Sequence, residues 1–292
     1  ILGLSGGVDR TAAALILKKQ GFDVIGLYFN VLNGACLNHK RNIEQGLKKA
    51  ENAAGQLGIK LIYRDMSDEF DKTVVNNFCN EYLNGRTPNP CVICNPEIKF
   101  KALTEAADEE GAKYIATGHY ADTWMDPVTG TWFIKRAVNE SKDQSYMLYR
   151  LSQSVISRLI LPLNKYADKE EVRALARMAG ITNSEDKDSQ EICFIDKEDT
   201  YLEFLKRKGY NDSEGSFIDA DGNFLGKHRG VSAYTVGQRK GLGITLGYPA
   251  FVTKIDGGNK TSSLGKNESL FSNSIKCTGN ILCKRESEVY AK

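Results

Sequence analysis

The residues best suited to chemistry begin almost at the first position of the chain. The stretch SGGVDR, residues 5–10, follows a short apolar segment that is typical of a buried parallel strand. Residues 11–20 after it have the apolar spacing of a helix. Backbone N–H groups at a helix N-terminus attract anions, and glycine lets a phosphate approach the backbone closely. The stretch therefore predicts either a phosphate-binding loop or a tight strand-to-helix turn without a ligand.

Two familiar phosphate loops do not match this stretch. No Lys-Ser or Lys-Thr follows the turn, as a Walker A loop requires, and the glycines lack the G-x-G-x-x-G spacing. The stretch instead resembles the S-G-G-x-D-S pyrophosphate loop of the N-type ATP pyrophosphatases, which transfer AMP from ATP to an oxygen. That resemblance implies ATP binding by a run of eight residues: Gly3, Leu4, Ser5, Gly6, Gly7, Val8, Asp9 and Arg10.

Two positions of this loop need separate comment. Asp9 is suited to orienting the loop or to holding the Mg²⁺ that accompanies ATP. Arg10 stands where the resembled loop has serine. An arginine there either pairs with phosphate oxygens or fills the space that a phosphate needs, and both interpretations stay open.

Three cysteines form the second group of candidate residues. Cys91 and Cys94 make a C-x-x-C pair within GRTPNPCVICNPEIKFKAL, and Cys193 lies in KDSQEICFI. The pair alone is typical of redox, zinc and iron–sulfur sites alike. Prolines 88, 90 and 96 predict an irregular segment with exposed ligands, not a helix-borne redox pair. Cys193 taken alone is typical of a buried, inert thiol.

Strands and helices alternate through the first part of the chain, which predicts an α/β fold with a parallel sheet and helices on both faces. Ligands of such sheets bind beyond the carboxyl ends of the strands, where the glycine loop and His119 both fall. From Tyr201 onward glycine becomes frequent and the helical pattern fades. We predict a catalytic domain over 1–200, a small β-rich region over 201–247, and an incomplete β-barrel-like part over 248–292.

Composition limits the classes of function. The 292 residues carry a net charge of +2, so any nucleic-acid surface must be local. No apolar run approaches the roughly 20 residues of a membrane span, and no signal segment is present, so we expect a cytoplasmic protein without a membrane partner. Seven cysteines, an odd count, argue against a disulfide framework. Because the chain starts at Ile1 and stops abruptly, we expect one or both ends to be missing.

Five segments together resemble the tRNA-specific 2-thiouridylases over nearly the whole chain. They are residues 85–90 with 94–103, 116–121, 142–146, 189–195 and 236–244. The resemblance implies a Rossmann-like pyrophosphate-loop domain that uses ATP and Mg²⁺ to adenylate the 2-oxygen of the wobble uridine of tRNA. Sulfur then replaces that oxygen, which gives 2-thiouridine, AMP and pyrophosphate. Implied partners are the tRNAs for Lys, Glu and Gln, and a sulfur donor such as a cysteine desulfurase or a sulfur-relay protein.

The resemblance also implies residue roles. Cys193 carries sulfur as a persulfide, and Cys94 either releases that sulfur or closes a disulfide with Cys193 as the thiolated base leaves. Phe29 and Gly118 join the glycine loop at ATP. The residues implied at the tRNA or at the target base are Asn89, Pro90, Cys91, His119, Lys142, Asp143, Gln144, Arg239 and Lys240. The last two extend a basic segment that includes Lys227, His228 and Arg229.

Several alternatives remain open. Many members of the resembled family have aspartate at the position of Cys91, and the triplet Cys91, Cys94 and Cys193 could instead hold a [4Fe–4S] cluster that delivers sulfide. Zinc would need His119 or Cys79 as a fourth ligand. Beyond thiolation, the loop also suits an amidating synthetase, or a non-catalytic relative that binds RNA or ATP and is disabled by Arg10. The cysteines without an assigned role are Cys36, Cys79, Cys277 and Cys283, and Cys79 is expected to lie in the core on a helix face.

Overall fold

The computed structural model describes residues 1–33, 37–166, 168–178, 192–196 and 198–274. The chain divides into two compact units. The first is built from Ile1–Val74 and Cys91–Ser189, and the second from Val75–Pro90 and Gln190–Glu286. Among the helices in the described ranges, none has the length and apolar character needed to cross a membrane.

Strands and helices alternate in the first unit, as the sequence predicts. In chain order the elements are β1 (Leu2–Gly3), α1 (Val8–Lys19), β2 (Gly26–Asn30), α2 (Leu37–Leu57), β3 (Leu61–Asp65), α3 (Ser67–Phe70) and a π-helix (Asp71–Val75). After α4 (Asn76–Leu83), which belongs to the second unit, come α5 (Pro90–Cys94), a π-helix (Asn95–Phe100), α6 (Lys101–Glu109), β4 (Ile115–Ala116), β5 (Asp122–Met125), β6 (Trp132–Lys135), α7 (Gln153–Ile156), β7 (Leu159–Ile160) and α8 (Lys169–Met178).

Five of these strands form one parallel sheet in the order β3-β2-β1-β4-β7. Strand β1 is central, because Leu2 is in register with Gly26 on one side and with Ala116 on the other. The order of the strands reverses at β1, and open α/β sheets bind ligands in the crevice beyond such a reversal. The predicted α/β class with a parallel sheet is confirmed.

Helix α1 packs against the sheet through small side chains. Ala12, Ala13 and Ala14 are fully buried in a core that includes Leu2 and Leu163. At the start of the helix the Thr11 hydroxyl donates to the Gly7 carbonyl over 2.9 Å. Alanines let a helix approach a sheet closely, so this packing fixes the first turn of α1 beside the end of β1.

The segment that carries Cys91 and Cys94 is helical, so the prediction of an irregular stretch was wrong there. Helix α5 begins at Pro90, a position where the missing N–H of proline is tolerated. The π-helix follows directly and contains Pro96, which has no N–H to donate to the preceding turn. Prolines at such sites allow a helix, and both cysteines are therefore held on one helical turn.

The second unit combines helices with a β-sheet. Its elements after α4 are α9 (Tyr201–Arg207), β8 (Gly215–Ile218), β9 (Phe224–His228), β10 (Phe251–Asp256) and β11 (Thr261–Gly265). The four strands pair in the order β10-β11-β8-β9, around a core that contains Phe217 and Val252. Strands from both sides of position 248 thus share one sheet. The predicted domain boundaries at 200/201 and 247/248 stay predictions.

His228 lies inside this unit and is not part of a basic surface, which corrects the expected extent of the basic segment. Its ring is 4% exposed and packs edge-on against Phe217 and Tyr234. Its Nδ1 accepts a hydrogen bond from the Gly230 amide over 3.1 Å. Burial lowers the pKa of His228 below its ordinary value, although the nearby Asp212 opposes the change.

This burial predicts a pH dependence of stability. The unfolded chain protonates His228 as the pH falls through about 6.5, whereas the folded chain resists protonation, so acid favours unfolding. We expect the free energy of unfolding to fall between pH 7.5 and pH 5.5, by at most about 1.4 kcal/mol per pH unit for this histidine. Urea titrations at several pH values measure this free energy of unfolding. The variant His228→Gln should show a shallower decline, and an equal decline would contradict the assignment.

Candidate active site

A cavity of about 50 Å³ lies in the first unit at the point where the sheet order reverses. It is bounded by the residues that follow β1 and β4, by the end of β2, by the first turn of α1 and by the helical run after α5. The lining residues are Gly3, Leu4, Ser5, Arg10, Tyr28, Phe29, Lys99, Leu103, Thr117 and His119. The fold therefore brings the glycine loop, Phe29 and His119 together, as the sequence predicts.

The glycine loop depends on Gly6. Its φ of +72° is a conformation that side chains disfavour, and a Cβ there would lie 2.4 Å from the carbonyl oxygen of Lys49. Gly7 precedes α1 in extended conformation and makes no side-chain cap. The loop therefore places two residues without side chains directly before a twelve-residue helix, an arrangement that favours binding of an anion.

Asp9 is held by neighbours on two sides. Its Oδ1 accepts a hydrogen bond from the Tyr120 hydroxyl over 3.1 Å, and its Oδ2 lies 3.6 Å from the Lys169 ammonium. These partners come from the segment after β4 and from α8. The contacts support the interpretation that Asp9 orients the loop.

Gly118 permits a close approach within the protein. A Cβ on Gly118 would lie 3.2 Å from the backbone nitrogen of Arg10 and 3.2 Å from the carbonyl carbon of Asp9. Such contacts are tighter than ordinary packing allows without movement. The glycine thus seats the segment after β4 against the first turn of α1.

Positive charge and a neutral histidine meet at the cavity. Burial is the main cause that holds the pKa of His119 well below its ordinary value, and the charges of Lys99 and Arg10 lower it further. The His119 Nδ1 lies 2.8 Å from the Thr117 hydroxyl, and the ring stacks on Phe100. At neutral pH the imidazole is uncharged, and the two cations make the cavity suited to an anionic ligand.

The loop with Lys142, Asp143 and Gln144 is anchored next to this site. The backbone N–H of Gln144 donates to the Tyr120 carbonyl over 2.8 Å, and the Gln144 side-chain Oε1 accepts from the backbone N–H of Tyr120 over 3.0 Å. Asp143 accepts from the Ala137 amide over 3.1 Å and from the Ser145 hydroxyl over 2.8 Å. Asp143 and Gln144 therefore position the loop, and a base-reading role for either stays a prediction.

The candidate cysteines differ in exposure. Cys94 is buried and Cys91 is exposed, on the same helix α5. In the second unit Cys193 is exposed, which differs from the expectation for a lone cysteine between apolar neighbours. A turn closed by a bond from the Ile195 amide to the Ile192 carbonyl presents Cys193. The next residue, Phe194, is buried against Phe78 and Phe204 and anchors that turn.

Metal binding finds no support in the described part of the chain. Among those residues no group of three or more His, Cys, Asp or Glu side chains could hold a metal ion. The [4Fe–4S] and zinc alternatives stay predictions. Asn89, a predicted contact of the target base, is half-buried and directly precedes α5.

Arg239 and Lys240 are exposed on a loop of the second unit. The side chain of Gln238 braces this loop by accepting from the Thr235 amide over 3.1 Å and donating to the Lys240 carbonyl over 2.9 Å. The loop is also tied to β10, because the Gly237 amide donates to Val252 over 2.8 Å. The arrangement presents two cations at the surface, and their contact with phosphate stays a prediction.

Comparisons with known proteins identify the family. Two family models match, the tRNA methyl transferase HUP domain over residues 1–197 and the tRNA methyl transferase PRC-barrel domain over residues 202–264. Among the relatives is the tRNA-specific 2-thiouridylase MnmA of Clostridioides difficile, 41% identical over 93% of this chain and 76% of that protein. Those of Clostridium tetani and Syntrophomonas wolfei are 43% and 42% identical, over 94% and 99% of this chain and 75% and 82% of theirs.

The chain belongs to the tRNA-specific 2-thiouridylase family. The resemblance drawn from the sequence motifs is thereby confirmed, and with it the assignment to an enzyme family. The individual residue roles within this thiouridylase stay predictions. Ser189 of the matching motif, and Cys36, Cys277 and Cys283, lie outside the described residues.

Sequence reasoning missed some residues at and around this cavity. Lys99 lines the cavity, whereas the sequence predicts no role for it beyond membership of the motif EIKFKAL. Tyr28 lines it beside Phe29, and Tyr120 holds Asp9. The sequence does contain a signal for Lys99, because a lysine between two apolar residues of a helical motif does not contribute to a core and could serve a ligand. No local pattern singles out Tyr28 or Tyr120.

Proposed function

We propose that this enzyme uses ATP to convert the wobble uridine of tRNA to 2-thiouridine. The observation that carries the proposal is the cavity in which the glycine loop meets Arg10, Lys99 and a neutral His119 at the reversal of the sheet. The names of the relatives support the same activity. The tRNAs for Lys, Glu and Gln are the proposed substrates, and the sulfur donor is a cysteine desulfurase or a sulfur-relay protein.

The first step activates the base. The 2-oxygen of uridine is a poor leaving group, and its attack on the α-phosphorus of ATP converts it to an adenylate while pyrophosphate departs. The backbone of the glycine loop, Arg10 and Lys99 stabilise the negative charge on the phosphates, and Mg²⁺ travels with ATP as part of the substrate. A base held for this chemistry must be unstacked from the anticodon loop. His119 contacts the nucleotide or the base as a neutral imidazole.

The second step transfers sulfur. The terminal sulfur of a Cys193 persulfide attacks C2 of the activated base, and AMP leaves with the original oxygen. The Cys94 thiolate then attacks Sγ of Cys193, which forms a Cys94–Cys193 disulfide and leaves the terminal sulfur on C2 as 2-thiouridine. The two cysteines together supply the two electrons that reduce the transferred sulfur, and an external thiol reductant then returns both cysteines to thiols. The exposure of Cys193 supports its role as the carrier that a donor protein reaches.

The proposal is tested by incubating the enzyme with tRNA, ATP and a sulfur donor and measuring pyrophosphate and 2-thiouridine together. We expect one pyrophosphate for each thiouridine. A chain that binds ATP but releases no pyrophosphate is the impaired relative, and release restored by Arg10→Ser would assign the defect to Arg10. Amide formation that survives alkylation of the cysteines would favour an amidating synthetase, since thiolation would stop at the adenylate. An iron count on anaerobically purified protein tests the cluster route separately.

The exposed cations of the second unit give a prediction about tRNA binding. Replacing Arg239 and Lys240 together by glutamine should weaken tRNA binding about tenfold at low salt. It should also reduce the slope of log Kd against log salt by about two, because each phosphate contact adds about one. Filter binding over a salt series measures both quantities. Replacing Lys206 and Lys254, exposed elsewhere in this unit, is the matched control. An unchanged slope in the double variant would exclude phosphate contact by this loop.

A further inference from the structure

Cys91 is an exposed thiol among the described residues that the proposed reaction leaves without a task. It lies three positions before Cys94 on helix α5, so the two residues share one helix face. Their exposure differs, since Cys91 is exposed and Cys94 is only 5% exposed. A thiol that must be regenerated is therefore buried, and a second thiol lies one turn away at the surface.

We propose that Cys91 is the resolving thiol of the catalytic cycle, an inference that rests on the proposed function. After sulfur transfer the Cys91 thiolate attacks Sγ of Cys94 in the Cys94–Cys193 disulfide. A Cys91–Cys94 disulfide forms, and Cys193 leaves as a thiolate that takes up the proton from Cys91. No oxidant is needed, because one disulfide bond breaks as another forms.

The geometry of α5 suits this exchange. Side chains three apart on a helix have Cβ atoms about 5–6 Å apart, and a disulfide requires about 3.5–4.5 Å, so a small local adjustment joins them. The regular helix gives way to the π-helix directly after Cys94, at Asn95. Asn95 is buried and its side-chain amide donates to the Met147 carbonyl over 2.7 Å, so the far side of the turn is fixed. Adjustment then falls on the exposed Cys91 side.

The exchange has two consequences for the cycle. It frees Cys193 for a new load of sulfur before any reductant acts. It also gives the reductant its own exposed target, because the new bond has its exposed sulfur at Cys91 and leaves Cys193, which is exposed as well, to the sulfur donor. A dithiol reductant of protein size then does not compete with the donor protein at Cys193. Access is a main determinant of the rate of thiol–disulfide exchange, so the relay matters most when the reductant is large.

The test follows the disulfides through a single turnover. The full-length enzyme is loaded with sulfur by a cysteine desulfurase and cysteine, desalted, mixed with tRNA and ATP without reductant, quenched in acid and alkylated. Peptide mapping of the wild type should find mainly the Cys91–Cys94 disulfide. Cys91→Ser and Cys91→Asp should retain Cys94–Cys193. With a thioredoxin-type reductant, later turnovers should slow about tenfold relative to the first in both variants, and a high concentration of dithiothreitol should restore them.

Two results of this experiment would overturn the relay. One is a wild-type map that contains only Cys94–Cys193, and the other is an unchanged ratio of later to first turnovers in both variants. The Cys193→Ser variant in a glutathione redox buffer tests the pair without tRNA, and failure to form Cys91–Cys94 there would also reject it. A pair that forms in that buffer, with no thiouridine from the loaded wild type, would instead reject the proposed function on which the relay depends.

Discussion

Replacing Cys193 by serine should abolish formation of 2-thiouridine and leave pyrophosphate release intact. Serine keeps the size of the side chain but cannot carry a sulfane sulfur. The turn that presents Cys193 is anchored by Phe194 against Phe78 and Phe204, so the substitution leaves its packing in place. We expect thiouridine formation to fall at least about 1000-fold, which corresponds to about 4 kcal/mol. Mass spectrometry of digested tRNA and a pyrophosphate assay measure the two steps.

The matched control is a cysteine of the same unit that the mechanism does not use. Cys79 is buried in α4, and Cys79→Ala removes a thiol without touching the exposed turn. Its thiouridine yield per folded molecule should stay within about twofold of the wild type. Normal thiouridine formation by Cys193→Ser would end the assignment of Cys193 as the sulfur carrier. Loss of pyrophosphate release as well would place the residue in the adenylation step instead.

The second large effect is expected at the glycine loop. Gly6→Ala should reduce adenylation at least about 100-fold, or about 2.7 kcal/mol, because the new Cβ would meet the carbonyl of Lys49 at 2.4 Å and the loop would have to move. The control is Gly21→Ala. Gly21 has a φ of +87°, which also disfavours a side chain, but no atom lies within 4 Å of the added Cβ.

Comparing the two variants separates backbone strain from the collision. Both should lose about 1–3 kcal/mol of stability through strain at positive φ. Only Gly6→Ala should lose ATP binding, measured by calorimetry on the folded protein. Equal ATP affinity in the two variants would show that the conformation of this loop does not matter for the nucleotide.

The parallel sheet and the position of the crevice were predictable because they rest on local patterns. Apolar strands alternate with amphipathic helices, and the reversal of strand order follows once β1 lies between β2 and β4. The glycine loop and His119 then meet at the carboxyl edge without any further information. Short-range periodicity and the rules of parallel sheets are therefore enough to predict the sheet and the position of the crevice.

The errors arose where tertiary structure overrides a local signal. Prolines 90 and 96 predicted an irregular segment, but a proline at the start of a helix costs little and a π-turn accommodates the other. The basic neighbours of His228 in sequence predict a surface cation, yet its ring is buried against Phe217 and Tyr234. The exposure of Cys193 depends on Phe194 finding partners in α4 and α9, which no local pattern reveals.

The most direct test of the central claim follows one oxygen atom. A substrate tRNA is prepared with ¹⁸O at the 2-position of the wobble uridine and is thiolated in ordinary water with ATP and the sulfur donor. If the enzyme adenylates that oxygen, each 2-thiouridine formed is matched by one AMP that carries a single ¹⁸O. Thiouridine accompanied by unlabelled AMP would contradict adenylation of the base and, with it, the role assigned to the glycine-loop cavity.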